Sequence, residues 1–549
     1  MAEENKSIVV YGGTLAGVAA AAKAAGHVDL EKDRKTTIAL IVPDPVDHNG
    51  NGVCLGGLAT VGGQNFFDIG WKQINNEWRF YTKGSFNWWY SKVGQHYNPE
   101  TLSNRLKSDL TKPEFQGKIN ILYGYDIKSI GWGAPANITA VNLCQIEQDS
   151  DGRVVWGTKT CTVAGDYFID ASESGRLTRL SNFGGTTGRY DWPANKLDAS
   201  EQGSSGKARQ QAATLMFKVT NFNRHAAGLE NAQHGGFIGV AGGTDAYKNN
   251  AKIIAFNNKY GPQGFALKPF NMAQDAAEGS NPLASEWWVN MLLVFNVDGR
   301  AYNRDKGTSI FPKDMRSDYM TVDDAYVAAK KVLEYDDFLP ALRSFPGFEN
   351  AELVKDSKGK PVVAKILYLR ETIHSAQSSS ARANGTENSN YALRTDDFRV
   401  PGSNKSSGYD VRNYAKRVGL NYYALDINAY KFEDLKKSGA YIWGHEVTTT
   451  LREGMSFPTH NSPTYVPYDA IATNFVYNLL IPGYAAGISS LGWSAARTLP
   501  NQCVLGDAAG VAAAYAANNN KQPLTFNSTD IAAIQSTLLN SAAMLEKTY

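Results

Sequence analysis

Apolar positions first cluster at Ser7-Ile-Val-Val-Tyr11, a short β-branched run of the kind that forms a buried strand. Gly12-Gly13-Thr14-Leu15-Ala16-Gly17 comes next, and then residues 18–25, an alanine-dominated stretch that strongly favours helix. Gly26 is the expected helix stop, and residues 36–42 (Thr-Thr-Ile-Ala-Leu-Ile-Val) return to strand-like composition. Strand, glycine turn, helix and strand in that order open a βαβ unit. Further on, residues 119–123, 214–220 and 287–296 read as strands and residues 322–335 as a helix. Residues 190–210 are polar and turn-rich, and residues 375–390 are rich in Ser and Asn and read as a loop. No internal repeat is visible. Residues 478–517 are apolar on average, but Arg497, Asn501, Asp507 and several glycines interrupt them, so no membrane span is expected.

Composition narrows the classes. The 549 residues are 43% apolar and 20% charged, enough to bury a large core and incompatible with intrinsic disorder. The 51 glycines lack a G-X-Y period, which excludes a collagen-like chain and points to tight backbone positions. With 55 basic and 53 acidic residues interspersed, there is no electrostatic case for a nucleic-acid partner. Cys54, Cys144, Cys161 and Cys503 form no C-x-x-C pair, so neither a disulfide framework nor a metal site is expected. A reducing, cytoplasmic location fits this cysteine usage and an N-terminus without a signal-peptide pattern.

The glycine turn carries the first candidate chemistry. Backbone at Gly12, Gly13 and Thr14 can approach a pyrophosphate closely, and the helix starting at Leu15 aims its positive end at it. Ala16 and Gly17 are small enough to let that helix lie close on the strand. Two features depart from the G-x-G-x-x-G pattern. Thr14 holds the middle glycine place, and Val42-Pro43 stands where an acidic residue would hold a ribose hydroxyl, with Asp44 just beyond as a substitute. Taken alone, the segment is compatible with dinucleotide binding or with an ordinary α/β core turn.

Three further segments come in chain order: Leu55-Gly56-Gly57-Leu58-Ala59-Thr60, Ile169-Asp-Ala171-Ser172-Glu-Ser-Gly175, and Arg497-Thr-Leu-Pro500 leading to Leu505-Gly506-Asp507-Ala508-Ala-Gly510. Together with the opening turn they resemble the family of FAD-dependent oxidoreductases sometimes labelled xanthan lyase-like, distant relatives of fumarate-reductase-type flavoproteins. The resemblance implies FAD as cofactor. It also implies an α/β fold: a Rossmann-like, glutathione-reductase-like FAD-binding domain made of residues 1–190 and 460–549, with an inserted α+β substrate or cap domain at 191–459. By the same resemblance, Gly56, Gly57, Leu58 and Ala59 run under the flavin, while Ala171 and Ser172 lie beside the adenosine half. Ile127 clamps the adenine through its backbone. A helix starting near Gly506, with Asp507 and Ala508, points its amides at the pyrimidine edge. His48 is not carried over, because Asn49 to Cys54 separate it from the Gly-Gly pair.

For catalysis, Arg370 and Glu371 match the family's Arg-Glu-x-x-Arg stretch, and His374 replaces its last Arg. His374 is either the proton-transfer group, as its near-neutral pKa would allow, or a strand residue beside a structural ion pair. Asn428 stands where the family has a His, which leaves His445 or His460 as spatial substitutes. Arg497 either holds a carboxylate near the flavin or anchors the last helix. Nine aromatics between Trp71 and Tyr97 form either a substrate wall or an aromatic core or subunit contact, the last leaving room for a homo-oligomer. The expected activity is hydride transfer between FAD and a small-molecule substrate that is polar, with sugar-derived compounds among the candidates. Two alternatives stand beside it: reduction of an activated carbon–carbon double bond with Arg370 and Arg497 clamping a carboxylate, and flavin binding without turnover.

Overall fold

The computed structural model describes residues 7–28, 37–70, 72–182, 184–199, 201–202, 208–231, 236–276, 286–375, 391–399, 401–451 and 463–548. The chain opens with β1 (Ser7–Tyr11), α1 (Leu15–His27) and β2 (Thr37–Val42). Two helices, α2 (Ser85–Val93) and α3 (Pro99–Leu110), precede β3 (Ile119–Tyr123). An antiparallel three-stranded sheet comes after them, made of β4 (Tyr125–Gly133), β5 (Asn137–Gln148) and β6 (Val154–Ala164), and the chain then returns through β7 (Tyr167–Asp170). Gly26 does not stop α1; the helix runs one residue further and closes when the Val28 amide bonds the Ala24 carbonyl.

Short β8 (Gly185–Thr187) leads to a six-stranded antiparallel sheet. Its strands are β9 (Ala213–Thr220), β10 (Glu230–Asn231), β11 (Phe237–Gly239), β12 (Phe265–Gln274), β13 (Trp287–Val294) and β14 (Glu352–Leu353), in spatial order β10-β11-β12-β13-β9-β14. Helix α4 (Val322–Val332) interrupts this run. Strand β15 (Ile373–Ser375) pairs back onto β8, and β16 (Leu479–Leu480), α5 (Ser490–Ala496) and α6 (Leu499–Asn519) complete the elements that bear on the site.

The first sheet is parallel throughout, in the order β16-β7-β1-β2-β3. Its central strand β1 is apolar on both faces because both are covered, as a parallel sheet requires. Strands from the two ends of the chain thus share one sheet, while the antiparallel sheet is drawn from the residues between them. Helix α6 lies on α1 with almost no side chain between the two backbones. A Cβ on Gly506 would run into the Ala16 carbonyl, and one on Gly510 into the Ala20 carbonyl. The alanines of α1 and the glycines of α6 are therefore two halves of one close helix contact.

Among the described residues, no helix is long and apolar enough to cross a membrane, and no group of His, Cys, Asp and Glu gathers as a metal site would.

Candidate active site

A cleft opens where the carboxyl ends of β1 and β2 meet residues of the inserted segment. One wall is Gly12, Gly13, Thr14, Asp44, Ser172 and Glu173; the other includes Tyr302, Arg304, Tyr326, Leu367 and Leu369. A crevice outside the carboxyl ends of parallel strands is where open α/β sheets bind their ligands.

Gly12 has φ +122, and a Cβ there would lie 2.7 Å from the Ala171 backbone, so only glycine brings β1 and β7 together at this level. Thr14 explains its own departure from the glycine pattern. Its hydroxyl accepts from the Gly17 amide at 3.1 Å, capping α1, and donates to the Ala171 carbonyl at 2.8 Å. The Leu15 and Ala16 amides remain at the helix's positive end, where the first turn has no intrahelical acceptors for them. The second glycine segment is tied onto the first, with the Gly56 amide donating to the Gly13 carbonyl at 2.7 Å. Gly57, Leu58 and Ala59 then form a buried 3-10 turn beside Thr14 and Glu173. Asp170 holds the third segment: it accepts from the amides and hydroxyls of both Ser172 and Thr178. Ala171 is packed under Gly12, and Ser172 lines the cleft.

Four carboxylates line this cleft: Asp44, Asp126, Glu173 and Asp323. Asp44 sits just past the end of β2, and its buried Oδ2 has no hydrogen-bond partner. Burial, and then the charge of Asp126, push its pKa up to about 7. Glu173 accepts from the Leu58 amide at 3.0 Å, and burial followed by the Asp44 charge raises it to about 8. Opposite them is Arg304, whose side chain is 4% exposed. It pairs with Asp126 and stacks 4.2 Å from the Tyr302 ring, yet its Nε and Nη1 have no acceptor. A buried acceptor at the strand end, a helix N-terminus between glycines and two unused guanidinium donors suit a ligand carrying hydroxyls and phosphates. These residues fit FAD.

Three expectations do not hold. Ile127 offers no free backbone for an adenine: its carbonyl accepts from Arg176 Nε at 2.6 Å and its amide donates to Asp126 at 2.7 Å. Its side chain is buried in a satellite core, and the neighbouring Asp126 lines the cleft instead. Gly506, Asp507 and Ala508 do not start a helix. α6 begins at Leu499, Gly506 packs on α1, Ala508 is core, and Asp507 caps α2 through the Ser85 amide at 2.9 Å. His374 is fully buried and does not line the cleft; its Nε2 lies 3.1 Å from Glu371 Oε2 and its ring packs near Trp493. Glu371 also takes the Ser490 hydroxyl and the Gln211 amide, so the pair is a buried brace between α5 and the inserted segment.

Arg370 and Arg497 do come together, on either side of Tyr368. Arg370 stacks 4.5 Å from the Tyr368 ring, and Arg497 Nη1 donates to its hydroxyl at 2.5 Å. Arg497 Nη2 also pairs with Asp426 at 2.9 Å. Asn428 is buried, its amide donating to Gln211 and its side chain accepting from Ala429. The His445 side chain and all of His460 lie outside the described residues. Within the aromatic stretch, Phe80, Phe86 and Tyr90 pack edge-on and tilted against one another and against Phe67 just before it, the arrangement of a core, and none lines the cleft. Trp71 and the Trp78 side chain also lie outside the described residues.

Sequence reasoning missed Arg304 and Glu173. Glu173 sits inside the Ile-Asp-Ala-Ser-Glu-Ser-Gly run. Arg304 has no local signature beyond a cation placed near an aromatic neighbour.

A parallel sheet with a phosphate-suited glycine turn at its carboxyl edge defines an α/β protein of the nucleotide-cofactor class. The chain belongs to the family of FAD-dependent oxidoreductases, whose model matches residues 7–538. It is therefore an FAD-dependent oxidoreductase, with FAD as its cofactor. No curated protein matches the chain. Among solved structures, it is similar to the myxobacterial chondrochloren halogenase, an FAD-dependent halogenase variant (10% identity over 70% of this chain and 67% of that one, TM-score 0.32). It is also similar to p-nitrophenol 4-monooxygenase from Pseudomonas putida (9% identity over 69% and 71%, TM-score 0.30). A third is the glycerol-3-phosphate dehydrogenase from Bacillus halodurans complexed with FAD (11% identity over 68% and 58%, TM-score 0.26). A further flavin-dependent halogenase is matched over only 52% of its own length.

Proposed function

We propose that this protein transfers a hydride between a small polar organic substrate and FAD held in the cleft. The observation that carries the cofactor's placement is the unpartnered, buried Oδ2 of Asp44 lining the same cleft as the glycine turn. The chemistry FAD supplies when bound is two-electron transfer with an organic carbon. The chain's own residues bind and orient. Gly12, Gly13 and Thr14 with the first turn of α1 receive the phosphates, and Asp44 accepts from ribose hydroxyls. Arg304 contributes charge from the opposite wall, while Gly56 to Ala59 and Ser172 close the floor.

Substrate handling falls to the Arg370–Tyr368–Arg497 group, which lies where the inserted segment meets α5 and α6. The Arg497 guanidinium donates to the Tyr368 oxygen and thereby leaves the phenolic proton available to a neighbouring acceptor. His374 is two steps removed, bracing Glu371. The test is anaerobic mixing of the FAD-loaded protein with panels of alcohols, sugars and organic acids. Loss of flavin colour with one class of compound, and its slowing in Arg497→Met at unchanged FAD content, is the expected outcome. Equal rates in Arg497→Met and wild type would remove this group from the reaction.

A further inference from the structure

A second pocket lies apart from the FAD cleft and shares no lining residue with it. It forms where the five-residue helix Arg176–Leu180, shortly after β7, meets residues 309–313 of the inserted segment. Its lining holds three cations, Arg179, Arg300 and Lys313, and no carboxylate. A cation taken out of water is ordinarily matched by a carboxylate, because leaving it unpaired is costly.

Two arginines here follow that rule. Arg176 holds Asp305 through both terminal nitrogens, at 2.5 and 2.9 Å. Arg300 pairs with Asp298 at 2.8 Å and with Asp314 at 3.0 Å. Arg179 departs from it. Its Nη1 donates to the Arg300 carbonyl at 3.0 Å and its Nη2 to the Ile310 carbonyl, and among the described residues it forms no ion pair. A guanidinium has five N–H groups, so three are left without an acceptor among the described residues. Burial, and then the charges of Arg300 and Arg176, pull Arg179 down to about 10. Lys313 is exposed and likewise forms no ion pair among the described residues. Asn182 and Ser309, also exposed, add an amide and a hydroxyl that bond no other described side chain.

We propose that this pocket binds a phosphate monoester, with Arg179 and Lys313 supplying the charge and Asn182 and Ser309 further hydrogen bonds. Two unpaired cations match the charge of such an ester, about −1.5 to −2 at pH 7, whereas a carboxylate brings only one. Three outer oxygens accept from several directions at once, which suits donors spread over two stretches of chain. Those stretches continue into the FAD cleft at Ser174 and Arg304, so the ligand would bridge the parallel sheet and the inserted segment. The site is independent of the hydride transfer proposed above.

The test is calorimetric titration of the FAD-loaded protein, at constant ionic strength, with methyl phosphate, methyl sulfate and acetate. Methyl phosphate should bind about tenfold or more tightly than either monoanion. The margin should shrink below about pH 6, where the ester takes up its second proton. Lys313→Met should weaken methyl phosphate binding about tenfold with FAD content and melting temperature unchanged, and Lys313→Arg should restore most of it. Arg179→Met should weaken it at least as much. Adenosine monophosphate is a further arm: tighter binding than methyl phosphate supports the site with a nucleotide as its source, and equal binding supports it with smaller esters. No methyl phosphate binding, equal affinity for acetate or methyl sulfate, or unaltered affinity in Lys313→Met would each overturn the proposal.

Discussion

Replacing Asp44 with Ala should change cofactor affinity and apoprotein stability in opposite directions. In the folded chain the Asp44 carboxylate is buried at the end of β2, one oxygen has no partner, and its pKa is pushed up to about 7. A group whose folded pKa lies above its unfolded value binds its proton more tightly when folded. Its contribution is fully present below the unfolded pKa and is lost as pH rises through the folded one. Wild-type apoprotein should therefore lose stability between about pH 4 and pH 7 from this group, and the variant should not. Above that window the variant should be more stable by about 1–3 kcal/mol, the usual cost of a buried polar group without a partner. For FAD the sign reverses. A carboxylate accepting from a hydroxyl is worth about 1.5–3 kcal/mol, so the dissociation constant should rise about 10- to 150-fold. Apoprotein prepared by stripping the flavin would be titrated with FAD by fluorescence quenching, and melted across the pH range without it. Unchanged FAD affinity in Asp44→Ala would refute the placement of the cofactor, and a pH-independent stability difference would refute the buried-charge argument.

Other outcomes rest on the same geometry. Arg304→Met removes the two unused donors opposite Asp44 and should weaken FAD binding about tenfold or more, with Arg304→Lys intermediate; equal affinities in calorimetry would take Arg304 out of the site. Gly506→Ala drives a methyl into the Ala16 carbonyl and should lower apoprotein stability by about 1–3 kcal/mol, read in urea melts. A variant as stable as wild type that loses only FAD would return Gly506 to the cofactor. His374→Gln should cost stability through the Glu371 brace but leave flavin reduction within about threefold in stopped flow. A loss of about 100-fold or more would make His374 the proton-transfer group after all.

The βαβ opening was legible because its signals are local: a β-branched run, a glycine turn and an alanine helix adjoin one another, and the strand at residues 7–11 has those bounds in the fold. Thr14 was legible as a departure but not as a cap, since its partner Ala171 is 157 positions away. The helix start near Gly506 failed for a different reason. Small residues in a row look the same whether backbone must approach a cofactor or another helix, and here the partner is α1. A local clue pointed upstream, as Pro500 sits in the first turn of α6, where proline is favoured. His374 could be either a reacting group or a brace, because strand alternation does not tell which face meets the cleft. Arg370 and Arg497 converge on Tyr368 only in three dimensions.

The central claim is that the flavin in this cleft turns over with a substrate seated at the Arg370–Tyr368–Arg497 group. The most direct measurement is anaerobic absorbance of the FAD-loaded protein mixed with the compound panel, in wild type and in Arg497→Met at matched FAD content. At least one class of compound should bleach the wild-type flavin rapidly, and the variant about 100-fold more slowly. Flavin bound one per chain that no compound bleaches, or that both proteins bleach at the same rate, would contradict it.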